Sequence, residues 1–489
     1  MLTNDPKNRS SRLSLWVGVA GVGVGIVAGL LAGIQPLLLG LAFVAVAAVT
    51  YFFSSFEQAV LGLMILRSSL DIFSEQQLPA AFALGVIGLT LLYVTVRLLL
   101  GEKVQIDKFW WFLAGWVALQ GLWVILLPLG GLGLDGSYLS DAIREWIRLF
   151  SWLIVYLLVM QLKDRLPPDK VISLLFLGLV LPLTAALMQM LLPASLLPAV
   201  LAPKGFSLTS ALEPASRING TLGHPNTFTT FLFFFLGLTY WKQAHARRRL
   251  PWLLLLGLLT FFFVSTKALF GLMMLGTFIV CLIAPKLSLP NLVGGIVLFA
   301  LVIGLFGSSE FGQERLGSIA ETPLGNPDID IWKAILLSAG DGNSFNWRIA
   351  QWTYLLTAWQ QFPILGFGLG TSTAISTNGL LPHNDYVRAL IEGGIVGLIT
   401  YLAFFGAQVV RLVQLIRKAP PGSGQRDLCL VLVAIILAIP VGMITENIWS
   451  HTTLFFYWWT VFAVAGWDWK EFQPPENPAP TLPSSPPVL

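Results

Sequence analysis

Apolar segments long enough to cross a bilayer recur along almost the whole chain. They fall at roughly 15–34, 37–54, 58–75, 80–99, 109–129, 146–162, 171–192, 226–241, 251–266, 268–285, 290–307, 385–416, 428–444 and 450–467. A hydrocarbon interior offers no water to backbone N–H and C=O groups, so segments of this length and polarity satisfy themselves as helices. Only 11% of the 489 residues are charged, where soluble domains carry about a quarter. The sequence therefore predicts an all-α polytopic membrane protein with about 12–14 transmembrane helices. The weakest span is the third, which contains Arg67 and Asp71.

Charge distribution orients the array. With the N-terminus inside, the basic clusters Arg97–Lys108, Lys163–Lys170, Lys242–Arg249, Lys286 and Arg411–Arg426 all fall on the cytoplasmic side, as the positive-inside bias requires. The opposite side receives Gly130–Glu145, Pro193–Pro225, the Thr266-Lys267 turn, Ser308–Asn384 and Thr445–Ser450. Five regions follow. Residues 1–14 form a cytoplasmic N-terminal segment and 15–307 a transmembrane array. Residues 308–384 form a large external loop with short surface helices. Residues 385–467 are C-terminal transmembrane helices, and 468–489 a Pro-rich cytoplasmic tail. The net charge of +4 gives no reason to expect nucleic acid. Four histidines and two cysteines (Cys281 and Cys429, both on the cytoplasmic side) form no metal-ligand cluster. No metal or cofactor is expected.

The loop 308–384 is the one stretch large and polar enough to build a site in water. Within it Trp352, Leu355, Leu356 and Trp359 follow helical spacing, which predicts a helix lying on the membrane with its apolar face down. Ser344 or Asn346 is placed to cap it, Arg348 to occupy its first turn, and Pro363 to stop it. Gly366-Phe-Gly-Leu-Gly370 lacks the preceding strand of a dinucleotide loop and reads as a flexible turn.

Arg217, Lys267, Arg348 and His383 share the outward side. Together they suit a diphosphate. Guanidinium forks bind phosphate oxygens bidentately and stabilise charge on a departing diphosphate, and a histidine titrating near neutrality serves as general base. For each the plain alternative is structural. Arginine and lysine at helix ends snorkel to headgroups, and His383 is by itself an ordinary interfacial histidine. His224 reads first as a cap for the next span, and Asn384 follows His383 at the loop's end. Arg67 and Asp71, four apart, read as an ion pair within the bilayer. Arg388 and Glu392 repeat the spacing where they can orient His383. Asp328-Ile-Asp330 copies a metal–nucleotide-sugar motif but lies outside, where nucleotide sugars are absent.

Arg217-Ile-Asn-Gly-Thr-Leu-Gly-His-Pro-Asn226, Asn346-Trp-Arg348 followed by Trp352, Pro363 to Gly370, and His383-Asn-Asp-Tyr386 through Glu392-Gly-Gly-Ile-Val-Gly397 together resemble the O-antigen ligase and O-antigen polymerase superfamily. The resemblance is tightest over about 215–415 and rests on the order, spacing and common sidedness of these motifs. It implies a multi-helix membrane glycosyltransferase of the inner membrane that works without a metal on the periplasmic face. The implied donor is a glycan on an undecaprenyl diphosphate carrier. The implied acceptor is a lipid or a glycan, with membrane lipids around it, as in lipopolysaccharide and surface polysaccharide assembly. By the same resemblance Arg217 and Arg348 bind diphosphate and His383 is the essential histidine; Lys267, His224 and Asn384 are further candidate substrate-binding positions. Many members have Ser-Arg-Gly where this chain has Thr266-Lys267-Ala268. Charge is kept there and the bidentate fork lost. A ligase, a polymerase of the same superfamily, a small-anion transporter and a structural scaffold remain distinct readings. A transporter calls for repeated halves and interrupted midplane helices.

Overall fold

The computed structural model describes residues 36–202, 217–283, 344–376 and 379–469, with single residues between 284 and 343. The first span, Lys286, most of the span at 290–307, Asp330, most of the loop before Ser344 and the tail from 470 fall outside the described residues, as do the side chains of Ser344 and Asn346.

Contacts divide the chain into two compact units, Met1–Val60 and Leu61–Leu489. The first contains α1 (Pro36–Ser54) and the start of α2 (Phe56–Leu66). The second contains α3 (Leu78–Leu99), α4 (Lys108–Leu126), α5 (Leu139–Met160), α6 (Pro168–Leu175), α7 (Val180–Leu191), α8 (Pro225–His245), α9 (Leu250–Ser265) and α10 (Leu269–Ile283). It continues through α11 (Ser344–Trp359), α12 (Ser372–Ile375), α13 (Asp385–Lys418), α14 (Gly424–Gly442) and α15 (Thr452–Ala465). Among the described residues α3, α4, α6–α7 taken together, α13 and α14 are long and apolar enough to cross a membrane, and α9, α10 and α15 are shorter apolar helices. The protein is an all-α polytopic membrane protein.

Helix starts follow side-chain chemistry. Asp107 accepts from the Trp110 amide at 2.8 Å ahead of α4, and Ser423 caps α14. His224 accepts from the Asn226 amide at 3.1 Å, and Pro225 occupies the first turn of α8. Asn384 caps α13, its Oδ1 accepting from the Tyr386 and Val387 amides at 3.0 Å. The centre of the second unit is α15, buried from Thr453 to Ala465. It packs against α5, α8 and α14. Trp152 on α5 stacks on Phe455 at 4.4 Å between ring centroids and meets Trp449 edge-on. Those rings fix the segment between α14 and α15.

Four local expectations change. The third span does not run through Arg67 and Asp71 as one helix. It breaks after Leu66 into two single turns, Arg67–Ser69 and Asp71–Phe73. Arg67 Nη1 still meets Asp71 Oδ1 at 2.7 Å. Arg67 Nη2 donates to Thr452 Oγ1 at 2.6 Å, and Thr453 Oγ1 donates to Asp71 Oδ2 at 2.6 Å. The pair ties the chain break to the start of α15.

The loop helix α11 exists, but its apolar face packs on protein. Leu355 is fully buried with Phe367, Val387 and Ile391, and Trp352, Ala358 and Trp359 pack around them. An apolar platform at the start of α13 offers that face a dry partner. Because α11 begins at Ser344, Arg348 stands just past the first turn. The helix ends at Trp359, ahead of Pro363.

The Gly366–Gly370 segment is not a flexible turn. Helix α13 is interrupted at Gly394, whose φ is +62°. Peptide groups freed by that break pair with the glycine segment: Phe367 N to Ile391 O at 2.9 Å, Gly368 N to Glu392 O at 3.0 Å, and Ile395 N to Pro363 O at 2.9 Å. A Cβ on Gly366 would lie 2.5 Å from Ile391 O, and one on Gly394 2.2 Å from Ile364 O. Two backbones approach at a distance only glycine permits.

Arg388 and Glu392 do not orient His383 in the expected way. Arg388 meets Glu392 at 2.9 Å and Glu145 at 3.1 Å, and Arg148 also pairs with Glu145. Glu392 accepts from Gly370 N at 2.9 Å and Ser372 Oγ at 2.6 Å, while Arg388 Nη1 donates to Ser450 Oγ at 2.7 Å. These buried charges satisfy one another and lock the glycine segment and residue 450 onto α13.

Candidate active site at the helix ends

The short connection between α14 and α15 carries the site's centre, Glu446. Its carboxylate is 5% exposed. Oε1 lies 3.3 Å from His383 Nδ1 and accepts from the Asn447 amide at 3.0 Å. Oε2 accepts from Asn226 Nδ2. The other end of that amide, Asn226 Oδ1, accepts from Arg217 Nη2 at 2.6 Å, and Arg217 Nε donates to the Thr266 carbonyl at 2.8 Å. One polar chain thus runs from Arg217 through Asn226 and Glu446 to His383. It joins three segments distant in sequence, 217–226, His383 and Glu446.

Arg348 enters from α11. Its Nη1 donates to Thr445 O at 3.3 Å, and its charge acts on Glu446. Burial opposes ionisation of Glu446. The attraction and hydrogen bond of His383, then the charges of Arg348 and His451, outweigh it and hold the carboxyl below the usual carboxylate range. Glu446 faces Nδ1 of His383, so Nε2 is the ring nitrogen on the side away from the carboxylate. His451 hydrogen-bonds Thr230 Oγ1 through Nδ1 at 2.9 Å.

Two candidate residues have unusual backbones. His383 (φ +48°) and Lys267 (φ +54°) are left-handed. Side-chain-bearing residues rarely adopt that region and hold it only where surroundings impose it, often at functional sites. Lys267 is exposed and follows Thr266, whose carbonyl orients Arg217. Thr266 Oγ1 in turn accepts from Thr229 Oγ1 at 2.8 Å, so the Lys267 turn is tied to α8.

The structure brings Arg217, Arg348 and His383 together around Glu446, and Lys267 lies one residue from a group that holds Arg217. His224 and Asn384 use their side chains as helix caps. They set the positions of Asn226 and His383 respectively. Glu446 and Asn226 were not singled out as site residues from sequence. A carboxylate in a six-residue turn between two apolar spans of a charge-poor chain is the signal that points to Glu446. Asn226 ends the Arg217–Asn226 motif, at the first turn of α8. The Asp328 amide donates to Asn326 Oδ1 at 3.0 Å, and Asp330 lies outside the described residues.

Chemically the site combines guanidinium groups held by an amide and carbonyls, which orient them without removing their charge, with an imidazole backed by a carboxylate. Anion binding beside a general base is the capacity of a group-transfer enzyme acting at a membrane surface. Residues 249–402 match the family model described as O-Antigen ligase, Wzy_C. The match bears out the resemblance to the O-antigen ligase superfamily over residues 249–402 of the 489. The matched segment spans α9 to the middle of α13 and includes Lys267, Arg348, His383 and Asn384. Arg217 precedes it and Glu446 follows it. No curated protein matches the chain.

Proposed function

We propose that this protein transfers a glycan from an undecaprenyl diphosphate carrier to an acceptor hydroxyl on the periplasmic face of the inner membrane, as an O-antigen ligase. The observation that carries this reading is the continuous chain Arg217–Asn226–Glu446–His383 with Arg348 beside it. It couples anion-binding groups to a carboxylate-backed histidine within one small site.

In the proposed step His383 Nε2 takes the proton of the acceptor hydroxyl as its oxygen bonds to the anomeric carbon. The bond from that carbon to the diphosphate oxygen breaks, and its electron pair leaves with the diphosphate. Arg217 and Arg348, with Lys267 at the exposed edge, stabilise the charge on the leaving group. Glu446 keeps His383 in the accepting tautomer and stabilises the imidazolium that forms. The cations do the charge-stabilising work that a metal ion does in other transferases, so the reaction is metal-independent. The acceptor sets the biological role. A core lipid acceptor makes a ligase, and a second carrier-linked repeat makes a polymerase.

Donor binding and chemistry are separable by variant. Purified full-length protein in lipid is titrated with a polyprenyl diphosphate bearing a short glycan. R217A and R348A are expected to weaken binding, and H383A to bind like wild type while losing transfer. Equal loss of binding in all three variants would contradict the division of roles.

A further inference from the structure

A cavity of about 500 Å³ lies between α3, α5 and α15. It shares no lining residue with the Arg217–Asn226–Glu446–His383 chain. Its composition is divided along its length. Arg67, Arg144 and Arg148 line it with Gln77 and Thr452, near the outward ends of the three helices. Phe82, Ala83, Val86, Trp152, Val155 and Phe456 dominate the remaining wall, which also carries Ser151. No lining residue is Asp or Glu. From Arg144 to Val155 the α5 backbone advances roughly 16 Å at 1.5 Å per residue. The space is therefore elongated, cationic at the outward end and apolar below.

Two of the three cations are built into the fold. Arg67 is held by Asp71 and Thr452, and Arg148 by Glu145. Arg148 Nε is buried and without a hydrogen-bond partner among the described residues. Arg144 is 81% exposed, with Asp141 3.5 Å away. A phosphate at this end would meet planar donors suited to it, and a hydrocarbon chain would fill the apolar remainder. Entry is lateral. Leu84 lines the cavity and is itself 54% exposed on a helix apolar enough to span the membrane.

We propose that this cavity is a binding site for an anionic glycerophospholipid of the surrounding bilayer. One acyl chain lies between α3 and α5, and the headgroup phosphate rests on Arg144 and Arg148. The lateral opening favours a bilayer lipid over a substrate delivered to His383. The bound lipid would act on the transfer site through Thr452, which receives Arg67 and directly follows His451.

The test uses the full-length protein in detergent with a phosphatidylglycerol carrying a photoactivatable group in one acyl chain, followed by peptide mapping. Labelling is expected within Leu78–Leu99 and Leu139–Met160. Diacylglycerol with the same chain is expected to label roughly tenfold less, the loss of a charge-assisted contact. A83W fills the cavity and is expected to remove the labelling. R144A, a surface change that leaves the fold intact, is expected to reduce it. Excess polyprenyl diphosphate is expected to leave it unchanged. Equal labelling by diacylglycerol, or undiminished labelling in both A83W and R144A, would overturn the site. Displacement by polyprenyl diphosphate would overturn the assignment to a bilayer lipid and give the cavity to a substrate.

Discussion

Glu446 touches Asn226 and faces His383, so its charge is coupled to both the anion-binding and the proton-accepting ends of the proposed site. Replacing it with glutamine keeps the shape and removes the charge. E446Q is expected to lower transfer by about 10²-fold, the lower end of what a positioned base contributes, with donor binding kept. Steady-state kinetics beside donor titration separate the two effects, and an unchanged rate would remove Glu446 from the mechanism. The same carboxyl predicts a pH effect on stability. Its folded value lies below the ordinary 4.5. The stability it contributes is therefore present above that pH and lost as pH falls through the folded value, because the unfolded chain then binds the extra proton. Melting temperature should fall more steeply below pH 4.5 in wild type than in E446Q. Arg348 offers the geometric test. R348A is expected to lose about 10²–10³-fold in turnover, the magnitude for one donor to a developing anion. R348K should recover little of it, because an ammonium cannot form the fork. Wild-type turnover in the lysine variant would exclude a bidentate contact.

The helices were largely legible as elements, because apolar length and polar punctuation are local properties. The capping role of His224 was legible too. Pairs joining distant segments were not. Arg217, Arg348 and His383 could be proposed from residue type and family resemblance, whereas Glu446 gains meaning only once α14 and α15 place it against α8 and the end of the loop. The break in α13 was hidden for the same reason. Gly393-Gly394 lies in a helical pattern, and only docking of residues 363–368 turns the freed peptide groups into paired ones. The apolar stripe of α11 was correctly placed on a helix and wrongly turned to the membrane, since its platform on α13 is distant in sequence. This junction yields its own prediction. G394A puts a Cβ 2.2 Å from a carbonyl oxygen at a left-handed φ. It is expected to destabilise the fold by more than the roughly 1–3 kcal/mol of backbone strain alone. Thermal unfolding of the purified variant reads this directly, and a wild-type melting temperature would contradict the close backbone approach.

On the scale of the whole molecule, the account depends on Arg217, Arg348, His383 and Glu446 sharing the periplasmic face. Single cysteines at Gln360 and at Arg247 in a background lacking Cys281 and Cys429 test this with a membrane-impermeant thiol reagent on intact cells. Labelling is expected at position 360 and not at 247. The reverse pattern would place the site in the cytoplasm and remove the carrier-linked donor from reach. Metal independence belongs to this scale as well. Transfer is expected to continue in excess chelator, and inhibition restored by Mg²⁺ would contradict it.

The most direct test of the central claim follows release of free undecaprenyl diphosphate. Purified protein in lipid is given a synthetic undecaprenyl-diphosphate oligosaccharide, with and without candidate acceptors, wild type beside H383A. The account predicts release that requires both an acceptor and His383. Release by H383A at the wild-type rate would contradict it.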